Sequence, residues 1–248
     1  MLQVQEISKD YKKFRAVDRL SFEVRPGEIV GLLGPNGAGK TSALRCISGI
    51  LRPTQGRVLI NGSDVVIDHK AAKKGLAFVP ELPNLYELLT VDEHLKFIAM
   101  CFDTMSIYEQ HHEALLKRYS LFDKRNELVA TLSKGMRQKL AVACAMVHRA
   151  NVLLFDEPII GVDPQGVHEI KMDMQQAKQS GCCIVVSTHL LDTAEKLCDR
   201  VVILRRGKKV AEGTLAELQQ QSQMHDATLE EVFLSLTSEA PVATDRLP

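Results

Sequence analysis

Lys40, Thr41 and the glycine-rich run before them are residue types that together can hold a polyphosphate. Residues 34–41 read GPNGAGKT, which fits the spacing G-x-x-x-x-G-K-S/T. Such a loop turns successive backbone N–H groups into one concavity, its glycines keep Cβ atoms out of the way, and a following helix adds positive potential. In this pattern Lys40 reaches the β- and γ-phosphates and the Thr41 hydroxyl binds magnesium. The expected nucleotide-binding set is Gly34, Pro35, Asn36, Gly37, Ala38, Gly39, Lys40, Thr41 and Ser42. The bland alternative is a glycine-rich turn with a solvated lysine. A dinucleotide fingerprint G-x-G-x-x-G does not fit, because Gly37 and Gly39 are followed by Lys40, Thr41 and Ser42. A Rossmann oxidoreductase is therefore disfavoured.

Two adjacent carboxylates, Asp156 and Glu157, end the apolar run 152–155. In open α/β sheets ligands sit at the carboxyl ends of strands. A magnesium–triphosphate complex would use both acids there: Asp156 on the metal, directly or through water, and Glu157 polarising the attacking water. Alternatively the pair caps the segment that begins at Pro158. His189 follows another apolar run, 184–187, and could hydrogen-bond the γ-phosphate and position the water. It also precedes an amphipathic helix over 190–198, so a packed or solvated histidine is the other reading. His69, His94, His111, His112, His148, His168 and His225 lack metal-ligand spacing and read as solvated or packed.

These groups need a scaffold. Residues 28–33 form a short apolar run suited to a buried parallel strand, and 40–50 place Ala43, Leu44 and Ile47 on one helical face. Period-two alternation at Leu2 and Val4, then at Leu20, Phe22 and Val24, predicts strands, as does the run 57–60 with its Asn61-Gly62 turn. From 91 to 148 the apolar spacing is helical, through Leu95, Ile98 and Ala99, then Leu115, Leu116 and Tyr119, then Leu140, Ala143 and Val147. Three short runs, 152–155, 183–187 and 201–204, follow with helical stretches between them. The expected fold class is α/β: a phosphate-loop NTPase core with a mostly parallel sheet, an N-terminal antiparallel portion and a helical subdomain inserted at about 86–150. The nucleotide-binding domain would span 1–220. A short extension, 221–248, would carry one helix over 229–236, opened by a Thr228/Glu231 capping box, and a loose tail from 238.

Composition narrows the class further. The 248 residues are 45% apolar, enough for a proper core, and 31 basic residues balance 31 acidic ones. No overall positive field draws the chain to nucleic acid, which is not an expected partner. Six cysteines, Cys46, Cys101, Cys144, Cys182, Cys183 and Cys198, form no C-x-x-C pair and read as reduced thiols of a cytoplasmic protein. No apolar run approaches the roughly 18 to 20 residues that span a bilayer.

The ordered set GPNGAGKT, LSKGMRQ at 132–138, VLLFDEP at 152–158, GVDP at 161–164 and His189 resembles the ATP-binding subunit of ABC transporters, over about residues 1–220. That resemblance implies an ATPase in which two such domains pack head to tail, each ATP lying between the phosphate loop of one and the LSKGM segment of the other. Ser133 and the Gly135 N–H would then face the partner's γ-phosphate, Asp163 would contribute a dimer contact, and Tyr11 would stack on adenine, a contact worth on the order of 1 kcal/mol. Taken alone, LSKGM is a serine-capped helix start, and Asp163-Pro164 is another. Two positions depart from the family pattern. Glu81 stands where glutamine is usual, keeping an oxygen for magnesium but losing an amide donor. The signature carries Lys134 and Met136, which resembles the branch serving separate small export permeases. A separate membrane permease is thus the expected partner, with this chain peripheral on the cytoplasmic face. The alternatives are a soluble ABC-type ATPase of translation or DNA repair, a metabolite kinase, and an ATP-binding switch without turnover. Glu157 argues against the last.

Overall fold

Both faces of the run 28–33 are apolar, and in the computed structural model both are covered. The structure describes residues 1–224 and 226–237. His225 and the tail from 238 lie outside the described residues.

The chain opens with a hairpin, β1 (Leu2–Tyr11) and β2 (Phe14–Val24), followed by β3 (Glu28–Leu33), α1 (Lys40–Ile47), β4 (Gln55–Ile60) and β5 (Ser63–Asp64). Next come α2 (His69–Lys74) and β6 (Leu76–Val79), and then three insert helices, α3 (Val91–Cys101), α4 (Met105–Arg118) and α5 (Lys134–His148). The second half alternates: β7 (Val152–Asp156), α6 (Pro164–Gln179), β8 (Cys183–Thr188), α7 (Leu191–Leu197), β9 (Arg200–Arg205). It closes with β10 (Lys208–Gly213), α8 (Leu215–Ser222) and α9 (Leu229–Thr237).

Two sheets result. The first is antiparallel, in the order β2-β1-β4-β5, and the second runs β10-β9-β3-β8-β7-β6. In the second, all neighbours are parallel except β10 on β9. Alternation along its strands divides the core. Ile29, Leu153, Phe155, Ile184 and Val186 pack with the insert helices and α6. Val30, Leu32, Val152, Leu154 and Val185 pack with α1 and the antiparallel sheet. The phosphate-loop core, antiparallel N-terminal portion and helical insert expected from the sequence are all present.

Local details explain most boundary differences. The helix expected to reach residue 50 ends at Ile47, because Gly49 turns the chain with φ of 71°. Asn61 and Gly62 both take positive φ, 50° and 88°, as a tight hairpin turn demands, and Ile60 pairs with Ser63 across it. At the far end, Thr228 and Glu231 form the expected reciprocal cap. α8 runs across position 220, and both α8 and α9 pack on β9, β10 and α7 through Leu218, Leu229 and Val232.

Candidate active site

Strand register brings the candidate groups to one edge. Leu33 of β3 pairs with Thr188 of β8, and Asp156 of β7 pairs with Ser187. The segments after these three strands are the phosphate loop, the Glu157 turn and His189. The carboxyl ends of adjacent parallel strands therefore assemble the site.

The loop from Gly34 to Gly39 turns back beneath the start of α1. Gly39 caps that helix with φ of 104°, and no side chain occupies the cap position. A Cβ there would lie 2.3 Å from the Ala16 carbonyl oxygen, so only glycine fits. The Gly207 N–H donates to the Ala38 carbonyl at 2.9 Å, so the β9–β10 turn also holds the loop. Pro35, Asn36 and Gly37 are exposed, leaving the rim open to a ligand, while Thr41 and Ser42 begin the helix half-buried. The uncapped N–H groups and the helix dipole favour an anion at this point.

Lys40 is 7% exposed and donates to the carbonyl oxygens of Gly34 at 2.7 Å and Pro35 at 3.4 Å. Burial pulls its pKa down, and the nearby charges of Glu157, Asp156 and Glu81 oppose that pull. Four of the residues singled out from the sequence are thus electrostatic neighbours.

Asp156 is 1% exposed and accepts a hydrogen bond from the Ser187 hydroxyl. Glu157 follows in a left-handed conformation, φ 47°, with its N–H donating to the Ser187 carbonyl at 3.0 Å. Such strain in a non-glycine residue re-aims the side chain and concentrates at functional sites. Oε1 of Glu157 lies 2.9 Å from Nδ1 of His189, whereas the buried Oε2 has no partner among the described residues. The His189 side chain is about half exposed.

Glu81, the fourth of these neighbours, is exposed just past β6. The other candidates are not among them. Tyr11 is 42% exposed at the end of β1, with the Lys9 ammonium 5.4 Å from its ring centre. Ser133 is exposed and caps α5 by accepting from the Met136 N–H. Asp163 caps α6 by accepting from the Gly166 N–H at 2.8 Å, and Lys139 of α5 donates to it at 2.7 Å, lowering its pKa. Gly135 packs so closely on the Gly161 carbonyl that a Cβ would lie 2.5 Å from it. The LSKGM and GVDP segments therefore form one unit.

The oxygen-only set of Thr41, Asp156 and Glu81 suits a hard cation such as magnesium, which uses one or two carboxylates plus substrate phosphates rather than a full protein cage. The buried Oε2 of Glu157, unpartnered among the described residues, is an acceptor available to a group that a ligand brings. Sequence reasoning passed over Ser187, Ala16 and Gly207. Ser187 carried a faint signal, a hydroxyl in an otherwise apolar strand. The other two act through backbone atoms and left none.

Fold and site together define a phosphate-loop nucleoside triphosphatase. The ABC transporter family model matches residues 17–160. ABC-type transporter ATP-binding protein EcsA of Bacillus subtilis is 36% identical over 240 residues, 96% of this chain and 97% of that protein. SkfA peptide export ATP-binding protein SkfE, also of Bacillus subtilis, is 36% identical over 228 residues, 90% of this chain and 93% of its own. A solved ATP-binding subunit of an ABC transporter superposes with a TM-score of 0.93 at 36% identity, covering 96% of this chain and 100% of that one. The chain belongs to the ABC transporter family, as an ATP-binding subunit. It is an ATPase whose family works with transmembrane permeases, and none of its described helices is long and apolar enough to cross a membrane.

Proposed function

We propose that the chain hydrolyses ATP to ADP and phosphate by direct attack of water on the γ-phosphorus, with Glu157 as the base. The convergence of Lys40, Asp156, Glu157 and His189 at the ends of β3, β7 and β8 supports this reading. The Lys40 ammonium would exchange its carbonyl partners for β- and γ-phosphate oxygens. Glu157 Oε2, lacking any partner among the described residues, would accept the water's proton while His189 holds Oε1. The phosphorus–oxygen bond to the β-phosphate breaks, and ADP leaves with the bridging oxygen. Magnesium held by Thr41, Asp156 and Glu81 together with the phosphates would neutralise charge on the β- and γ-oxygens. With Nδ1 on Glu157, Nε2 is the ring nitrogen that His189 would turn to the γ-phosphate.

The rim of this site at Pro35, Asn36 and Gly37 is exposed, and the segment of exposed Ser133 and half-buried Gly135 offers a second helix N-terminus for a phosphate. Two nucleotide-binding subunits, identical or related, would complete it head to tail. The permease would dock on the insert beside Glu81, where Leu82, Tyr86, Leu88 and Met100 are all more than half exposed and Tyr86 meets Phe97 edge-on at 5.1 Å. The export wording of the SkfE relative, and the Lys134 and Met136 variation in the signature, favour export. The subunit then sits on the cytoplasmic face through its permease.

Single-turnover hydrolysis by Glu157→Gln tests the assignment. ATP binding should persist while the chemical step slows at least about a hundredfold; an unchanged rate removes Glu157 as the base.

A further inference from the structure

A groove of about 400 Å³ runs between α4 and α6, a size at which small organic ligands are held. It lies at the amino ends of β7 and β8, near Asn151 and Cys182, so it is separate from the nucleotide site at the carboxyl ends. Leu115 of α4, Leu153 of β7 and Ala177 of α6 give it an apolar floor.

Its charges are unbalanced. Asp173 is 4% exposed and both its oxygens are taken, one by the Arg118 guanidinium and one by the Tyr119 hydroxyl. Arg149 also lines the groove, and it has no hydrogen bond or ion pair among the described residues. Its positive charge reaches the Cys182 thiol on the same wall. The larger cleft around Arg200, about 770 Å³, differs on this point, because Glu28 and Glu212 already neutralise Arg200 and Lys209.

We propose that the groove binds a small amphipathic carboxylate. Its acyl or aryl body would cover the Leu115, Leu153 and Ala177 floor, and its carboxylate would take the planar fork of Arg149 in two parallel hydrogen bonds. Because α4 belongs to the insert and α6 to the core, the bound molecule bridges the two and alters ATP turnover.

Calorimetric titration of the full chain with decanoate and with decanol tests this, alongside ATPase rates over the same concentrations. Decanoate is expected to bind one site per chain, with decanol at least about tenfold weaker. Arg149→Gly should weaken decanoate by a similar factor while keeping the fold, since glycine accepts the φ of 59° found there. Ala114→Trp, at the exposed rim, should block binding and abolish the rate change. Equal affinity for decanol, undiminished binding by either variant, a rate change that does not track occupancy, or no binding below the micellar range of decanoate overturns the proposal.

Discussion

His189 Nδ1 and Glu157 Oε1 stand 2.9 Å apart, joining the ends of β8 and β7 across the sheet edge. The contact holds one carboxylate oxygen and leaves the other buried, without a partner among the described residues. His189→Ala should therefore lower kcat more than it raises KM, because it frees a base already in place. Steady-state kinetics separate the two: a pure KM effect would show that His189 only binds substrate.

Lys40→Ala should abolish nucleotide binding or hydrolysis. Its buried ammonium lies against the phosphate loop, donating to the Gly34 and Pro35 carbonyls. A fluorescent ATP analogue reports binding and phosphate release reports turnover; full activity would remove the loop from the site.

Chelation should silence the enzyme reversibly. With EDTA in excess, hydrolysis is expected to fall to background and to return with added magnesium, while Asp156→Asn should raise the magnesium concentration needed for half-maximal rate. Turnover unaffected by EDTA would exclude the metal role of Thr41, Asp156 and Glu81.

Asp173 ties the insert to the core by accepting from Arg118 and Tyr119. Replacing it with Ala strands the buried Tyr119 hydroxyl, at a cost of about 2 to 4 kcal/mol. Thermal denaturation should show the loss, and Tyr119→Phe should cost less, about 1 to 2 kcal/mol. Equal midpoints for wild type and Asp173→Ala would mean that water replaces the tie.

Acid should loosen the insert. Burial lowers the pKa of His94, 3% exposed with Nε2 unpartnered, and of His148, which stacks on Phe102 and contacts the Lys74 carbonyl. The unfolded chain takes up these protons near pH 6.5, the folded chain only at lower pH. Stability is thus full above pH 6.5 and falls as pH drops through it, until the folded values are reached. Melting curves between pH 8 and pH 5 should show the slope, and His148→Phe should flatten part of it. A flat profile in the wild type would refute the burial argument.

Much of the site was legible because its chemistry is local in sequence. GPNGAGKT carries its own backbone geometry, since Gly37 at φ 79° and Gly39 at φ 104° take conformations that side chains disfavour. Asp156 and Glu157 were marked by two acids ending an apolar strand. Period-two and helical spacing distinguished the sheets from the insert because each element buries one face or both. β5, α2, β10 and α8 went unassigned, being short or polar enough that only their neighbours decide them.

By itself, the sequence determined the family, the phosphate loop and the order of the main strands and helices, since these rest on residue types at fixed spacing. Tertiary structure alone decided that Glu157 keeps one oxygen free while His189 takes the other, that Gly207 and Ala16 back the loop, and that Arg149 faces an unbalanced groove. Each of these is a meeting of groups far apart in the chain. Such meetings are set by strand register and helix packing, which no local pattern of side chains encodes.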